Sequence, residues 1–142
     1  MQTKILHARE NGFTLVELLV VLAILGLLVA LAAPRVMKYL GSARSDTARI
    51  QIEKLSGILD LYRLDVGRYP TGQEGLQALV EKPAQADSWN GPYLKNRESL
   101  TDPWGAPYAY RSPGQHGEFD LYSLGADGKE GGEDADKDVT NW

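Results

Sequence analysis

The stretch from Gly12 to Pro34, GFTLVELLVVLAILGLLVALAAP, decides how the rest of the chain is read. It carries one charged residue, Glu17, close to its front. Coiled as a helix with a rise of ~1.5 Å per residue, Phe13 to Ala33 would extend about 31 Å, the thickness of a bilayer's hydrocarbon. A carboxylate near mid-bilayer costs roughly 2.5–3.5 kcal/mol on insertion scales and less near an interface, so such a residue usually has a partner. Three readings compete: a cleaved secretory signal, a permanent membrane anchor, and a segment stored in the membrane for later assembly. Ala30-Leu31-Ala32 fits a small-x-small cleavage site, and Lys4 and Arg9 supply a basic leader. Against a signal, the apolar run exceeds the ~7–15 residues of a signal core, and Glu17 lies inside it. Basic residues do not orient the segment, since Lys4 and Arg9 on one side face Arg35, Lys38 and Arg44 on the other. Thr14-x-x-Glu17 also fits a capping box, and a carboxylate suits a helix N-terminus.

Beyond Pro34, Ala48, Ile52, Leu55, Leu59, Tyr62 and Val66 recur at alternating steps of four and three, one face of a helix. The spacing predicts a single spine from Thr14 to about Asp65, near 78 Å long at ~1.5 Å per residue. Pro34 removes a backbone donor and crowds the preceding turn, so a kink or local melting is expected there, as a membrane exit or as a flexible joint. Gly67-Arg68-Tyr69-Pro70 ends the spine, because Gly permits a left-handed closing residue and Pro blocks continuation. A short second helix over Gly75–Val80, capped by Thr71, follows before Pro83.

With 142 residues the chain suits one domain, but its apolar residues crowd before Pro34. The remainder is a size at which burial alone gives modest stability and staples are common. There is no cysteine, so no disulfide can serve. The formal net charge of −4, without a Lys/Arg cluster, argues against nucleic acid as a partner.

From Ser88 onward two aromatic-Gly-Pro clusters, at Trp89–Tyr93 and Asp102–Tyr108, read as turns. Tyr108–Arg111 and Phe119–Leu124 alternate as strands around a hairpin loop, giving a small antiparallel sheet. In a domain short of aliphatics, Trp and Tyr here serve as core. Between Glu118 and Asp138 stand eight acidic residues against Lys129 and Lys137, a net −6. A solvated tail is the default for such a run. The glycines make tight turns, however, and Val139 and Trp142 call for burial, so something should neutralise the loop. Calcium would, since it takes six to eight oxygens in flexible geometry. An EF-hand is excluded, because a loop begun at Asp127 puts Lys129 and Gly131 where ligands belong.

Gly12-Phe13-Thr14-Leu15-Val16-Glu17, opening an apolar helix after a short polar leader, resembles the prepilin peptidase site of type IV pilins and type II secretion pseudopilins. Gly67-Arg68-Tyr69-Pro70, Asp102-Pro103-Trp104-Gly105 and Ser123–Gly132 with a terminal Asn141-Trp142 resemble the major pseudopilins of type II secretion. The resemblance implies cleavage between Gly12 and Phe13 on the cytoplasmic side and methylation of the new amino terminus. It also implies that Glu17 pairs with the amino terminus of a neighbouring copy, and that Pro34 is a joint. It implies a calcium ion held by the Asp127 and Asp134 side chains and the Leu124 carbonyl, with Asp136 and Asp138 as weaker ligands.

The expected architecture is α+β: a long N-terminal helical spine packed on a small antiparallel sheet with a C-terminal calcium loop. Residues 1–12 would be a cleaved leader, 13–33 the transmembrane and assembly helix, 34–66 its amphipathic continuation and 67–142 the globular periplasmic part. Implied partners are copies of the chain in a filament, a prepilin peptidase, minor pseudopilins, the inner-membrane secretion platform, and inner-membrane lipid before assembly. A structural role is expected rather than catalysis. Ser123, His116 and Asp120 can be written as a triad, but no nucleophile elbow or oxyanion motif accompanies them. The competing readings are a type IV pilin for adhesion or motility and an exported monomeric binding protein or enzyme, the last requiring cleavage after Ala32.

Overall fold

The computed structural model describes residues 12–142. Lys4 and Arg9, in the expected leader, lie outside the described residues. One long helix, α1, runs over Leu15–Val66 and is unbroken at Pro34, so local melting is absent there. Contacts divide the chain between Met37 and Lys38, and the two parts are taken in turn.

In the first part Thr14 makes half of the expected capping box, its Oγ1 accepting from the Glu17 amide at 3.2 Å. The large apolar side chains of the run, from Phe13 to Leu31, are exposed, and the helix is long and apolar enough to cross a membrane.

In the second part the predicted helical seam is the core. Ala48, Ile52, Leu55, Leu59 and Tyr62 are buried, and Val66 packs at the edge. Opposite them lie Leu76, Leu79, Leu94, Leu100, Tyr108, Leu121 and Val139. Each fully buried aliphatic contributes about 1.5–3 kcal/mol, so this two-sided cluster is what holds the globular part together. The helix closes at Gly67, whose φ of +84° and amide bond to the Arg63 carbonyl (2.7 Å) form the left-handed cap.

The second helix departs from expectation: it is a 3-10 segment, Gly75–Leu79. Thr71 instead caps the turn before it, accepting from the Glu74 amide (3.2 Å) while Glu74 accepts from the Thr71 amide (2.8 Å). Arg68 grips the same carboxylate through both its terminal nitrogens, at 2.6 and 2.8 Å. A further 3-10 turn, Arg97–Leu100, was not foreseen.

The sheet has three antiparallel strands in the order β1 (Ala109–Arg111), β2 (Asp120–Ser123) and β3 (Val139–Thr140). Tyr110 pairs with Leu121, and Ser123 with Val139. The first two strands are those the alternation predicts, shortened at their ends. The third is additional, and it brings the acidic segment back as a closed loop. Of the two closing residues expected to seek burial, Val139 is buried, whereas Trp142 remains half exposed, stacked on His116 with ring centroids 4.0 Å apart. The aromatics serve as core or its rim, as expected: Tyr108 is buried, and Trp89, Tyr93, Trp104 and Tyr110 pack against the cluster.

Candidate functional site

At the front of α1, Gly12 is exposed and non-helical, and Phe13 is 82% exposed. Glu17 sits in the first helical turn, its backbone amide capped by Thr14 while its carboxylate has no ion-pair partner among the described residues. The aligned backbone dipoles favour an anion at this end, but they do not neutralise it. The exposed Gly12–Phe13 peptide bond thus lies just ahead of the helix, and Phe13 is four residues before a carboxylate with no ion-pair partner among the described residues.

The second candidate site is the loop between β2 and β3. Its entrance is anchored by a buried carboxylate. Asp102, 6% exposed, accepts from the Ser123 hydroxyl at 2.5 Å and from the amides of Trp104 (3.0 Å) and Ala106 (2.9 Å). Ser123 in turn accepts from the Gly125 amide at 3.2 Å. The hydroxyl that a triad would require is therefore committed to Asp102, and His116 lies against Asp120 instead.

Beyond Gly125 the loop folds on itself. Gly125 (φ +69°) and Gly132 (φ +88°) flank the Asp136 carbonyl so closely that a Cβ at either would come within 2.7 and 2.5 Å of its oxygen. The Ala126 amide donates to the Ala135 carbonyl (3.0 Å), and the Asp138 amide to the Gly131 carbonyl (3.3 Å). Asp127 accepts from the Lys129 amide at 3.1 Å, a local Asx turn. Asp134 takes φ +51°, rare for a residue with a Cβ, and its carboxylate faces Lys38 of α1 at 3.5 Å. Asp138 accepts from the Gly131 amide through Oδ2 (3.0 Å), while its Oδ1 is buried without a partner. Ala135 rests on Gly41 of α1, where a Cβ would approach within 2.8 Å of its own.

Leu124, Asp127, Asp134, Asp136 and Asp138 are thus all carried by one closed loop. Among the described residues, however, no three acidic or imidazole side chains converge as a metal cluster. What the loop offers a hard cation is oxygen only, from carboxylates and carbonyls, together with one buried carboxylate oxygen left unsatisfied.

The chain matches the profile of type II secretion system protein G over residues 35–142 and that of the prokaryotic N-terminal methylation motif over residues 7–33. It belongs to the type II secretion system protein G family. Among relatives, the type II secretion system core protein G of Pseudomonas aeruginosa is 50% identical, the match covering 94% of this chain and 96% of that one. That of Vibrio cholerae is 42% identical, covering 94% and 92%. A crystal structure of the major pseudopilin from the type 2 secretion system of enterohaemorrhagic Escherichia coli superposes with a TM-score of 0.63 at 36% identity, covering 75% of this chain and 88% of that one.

Protein G is a pseudopilin family rather than an enzyme family, and this member is part of the type II secretion pseudopilus. The apolar helix and the methylation motif mark it as membrane-anchored, with the family's periplasmic outlook. Sequence reasoning missed Asp102, Lys38 and Gly41. Asp-Pro-Trp-Gly reads as a surface turn, and nothing local links Lys38 or Gly41 to a loop more than ninety residues away.

Proposed function

We propose that the chain is a polymerising subunit whose assembly is set by one charge pair. A prepilin peptidase cuts between Gly12 and Phe13 on the cytoplasmic face and methylates the new terminus. The resulting cation on Phe13 of one copy pairs with Glu17 of another, so that two charges each costly in lipid become compatible with it only together. Residues 13–33 hold the subunit in the inner membrane, with residues 67–142 in the periplasm, until it joins copies of itself. Minor pseudopilins and the inner-membrane secretion platform complete the filament, which drives export of folded proteins. Pro34 serves as the joint at which the helix adjusts. The observation that carries the reading is the Glu17 carboxylate, without an ion-pair partner among the described residues, in the first turn of an exposed apolar helix. Glu17→Gln keeps the amide that Thr14 caps and removes the charge. We expect normal protein levels and cleavage but no filaments on overexpression, by electron microscopy. Wild-type filaments from that variant would overturn the pairing.

In the same reading the acidic loop takes calcium. Support comes from the orphaned Asp138 Oδ1, the all-oxygen donors and the loop's glycine-built turns. Asp127, Asp134 and the Leu124 carbonyl are the principal ligands, with Asp136 and Asp138 as further ones. The ion would neutralise and cross-link a loop that, in a chain with no cysteine, no disulfide can close. A metal that binds the folded state stabilises it by about 2.7 kcal/mol at a hundredfold excess over Kd. Chelation should accordingly lower the Tm of the full chain in detergent, with recovery on adding calcium. An unchanged Tm would eliminate the site.

A further inference from the structure

Lys38 sits three residues before Gly41 on α1, and both reach the acidic loop. Asp134 extends to Lys38 from a left-handed backbone conformation, and the next residue, Ala135, is seated on Gly41. The seat is steric and independent of charge: Gly41 is buried, and only the missing Cβ lets Ala135 approach. The Ala135 carbonyl also accepts from the Ala126 amide, beside Asp127 on the far limb. The loop is thereby held where Asp134 stays within reach of Lys38 whether or not the ion pair forms.

The pair itself is weak. Both side chains are about three-quarters exposed, at 74% and 71%, and exposed pairs of this kind contribute little. One ammonium also leaves much of the loop's demand unmet, since the Asp138 Oδ1 remains without a partner. A divalent cation that accepts several oxygens at once would outcompete it.

We infer that Lys38 is a resident counter-ion for Asp134 which calcium must displace, so that it sets the calcium affinity of the loop and reports its occupancy on the spine helix. This rests on the calcium reading of the loop. It adds that a residue far away in sequence, and not itself a ligand, tunes the site.

The test is calorimetric titration of CaCl2 into the full-length chain in detergent. Lys38→Gln removes the competitor and should tighten calcium binding by up to about fivefold, the upper end for an exposed ion pair. Lys129→Gln removes the same charge from the loop itself, at a lysine with no ion pair among the described residues, and should tighten binding less than Lys38→Gln does. Gly41→Ala presses the loop off its seat, so in that background the gain from Lys38→Gln should shrink. A Lys38→Gln affinity equal to or weaker than wild type overturns the inference and leaves the calcium site standing. Equal tightening by Lys129→Gln overturns it too, as a plain charge effect. Wild-type protein that takes up no calcium removes the site and the inference together.

Discussion

Replacing Asp102 by Asn probes the anchor on which the acidic loop is hung. The carboxylate is buried with no ion pair among the described residues, and its charge is carried by the Ser123 hydroxyl and the amides of Trp104 and Ala106. Hydrogen bonds to a charged acceptor are worth about 1.5–3 kcal/mol each, against about 1 for neutral ones. Asparagine can keep its carbonyl oxygen on the two amides, at neutral strength. Its amino group would face Ser123 Oγ, an oxygen already engaged by the Gly125 amide. Relief of the buried charge offsets part of the loss, which leaves a net cost of about 2–3 kcal/mol. For a cooperative unit of roughly a hundred residues, that lowers Tm by about 10 °C. Asp102→Ala strands three donors and should cost more. Thermal unfolding of the full chain in detergent, followed by near-UV circular dichroism, measures both. An Asn variant within about 2 °C of wild type would refute the anchor.

Gly132→Ala should destabilise more than Gly131→Ala. Both sit at positive φ, but only at Gly132 does a Cβ meet the Asp136 carbonyl, at 2.5 Å, whereas Gly131 faces open space. Backbone strain of about 1 kcal/mol is expected at Gly131 and at least twice that at Gly132, measured as Tm. Glu74 carries a pH dependence. Its bond to Arg68 is the main cause holding its carboxyl down to about 2 from an ordinary 4.5. A depressed folded-state pKa contributes stability that is complete above the unfolded value and is lost as the folded pKa is approached from above. The wild-type Tm should therefore fall as pH drops from about 4.5 toward about 2. Glu74→Gln should begin lower at neutral pH and lose less across that window, and an equal fall in both proteins would exclude this group as the source.

The legible parts of the fold were those written in local periodicity. The seam from Ala48 to Tyr62 repeats at helical spacing because one face must be buried, and it is the core. Gly67 stops the helix as a glycine before Arg-Tyr-Pro should. Features made by distant pairing were not legible. Val139–Thr140 is too short to show alternation and is a strand only because Tyr122 and Ser123 lie opposite. Thr71 was recognisable as a cap, but its partner is Glu74 in the turn before, and beyond Gly75, which enters at φ +58°, the segment winds as a 3-10 helix. The acidic run and its glycine turns were legible in composition, while the choice of candidate ligands within it came from the resemblance to major pseudopilins. Their neighbours Lys38 and Gly41 were hidden, since a helix residue gives no sign of which loop will lie on it.

The central claim is that cleavage before Phe13 creates the charge that Glu17 needs. Intact mass and N-terminal tandem mass spectrometry of protein recovered from membranes containing an active prepilin peptidase test it most directly. The account predicts a chain beginning at N-methylated Phe13. A chain that still begins at Met1 under those conditions, or one that begins at Ala33 after cleavage behind Ala32, would contradict it.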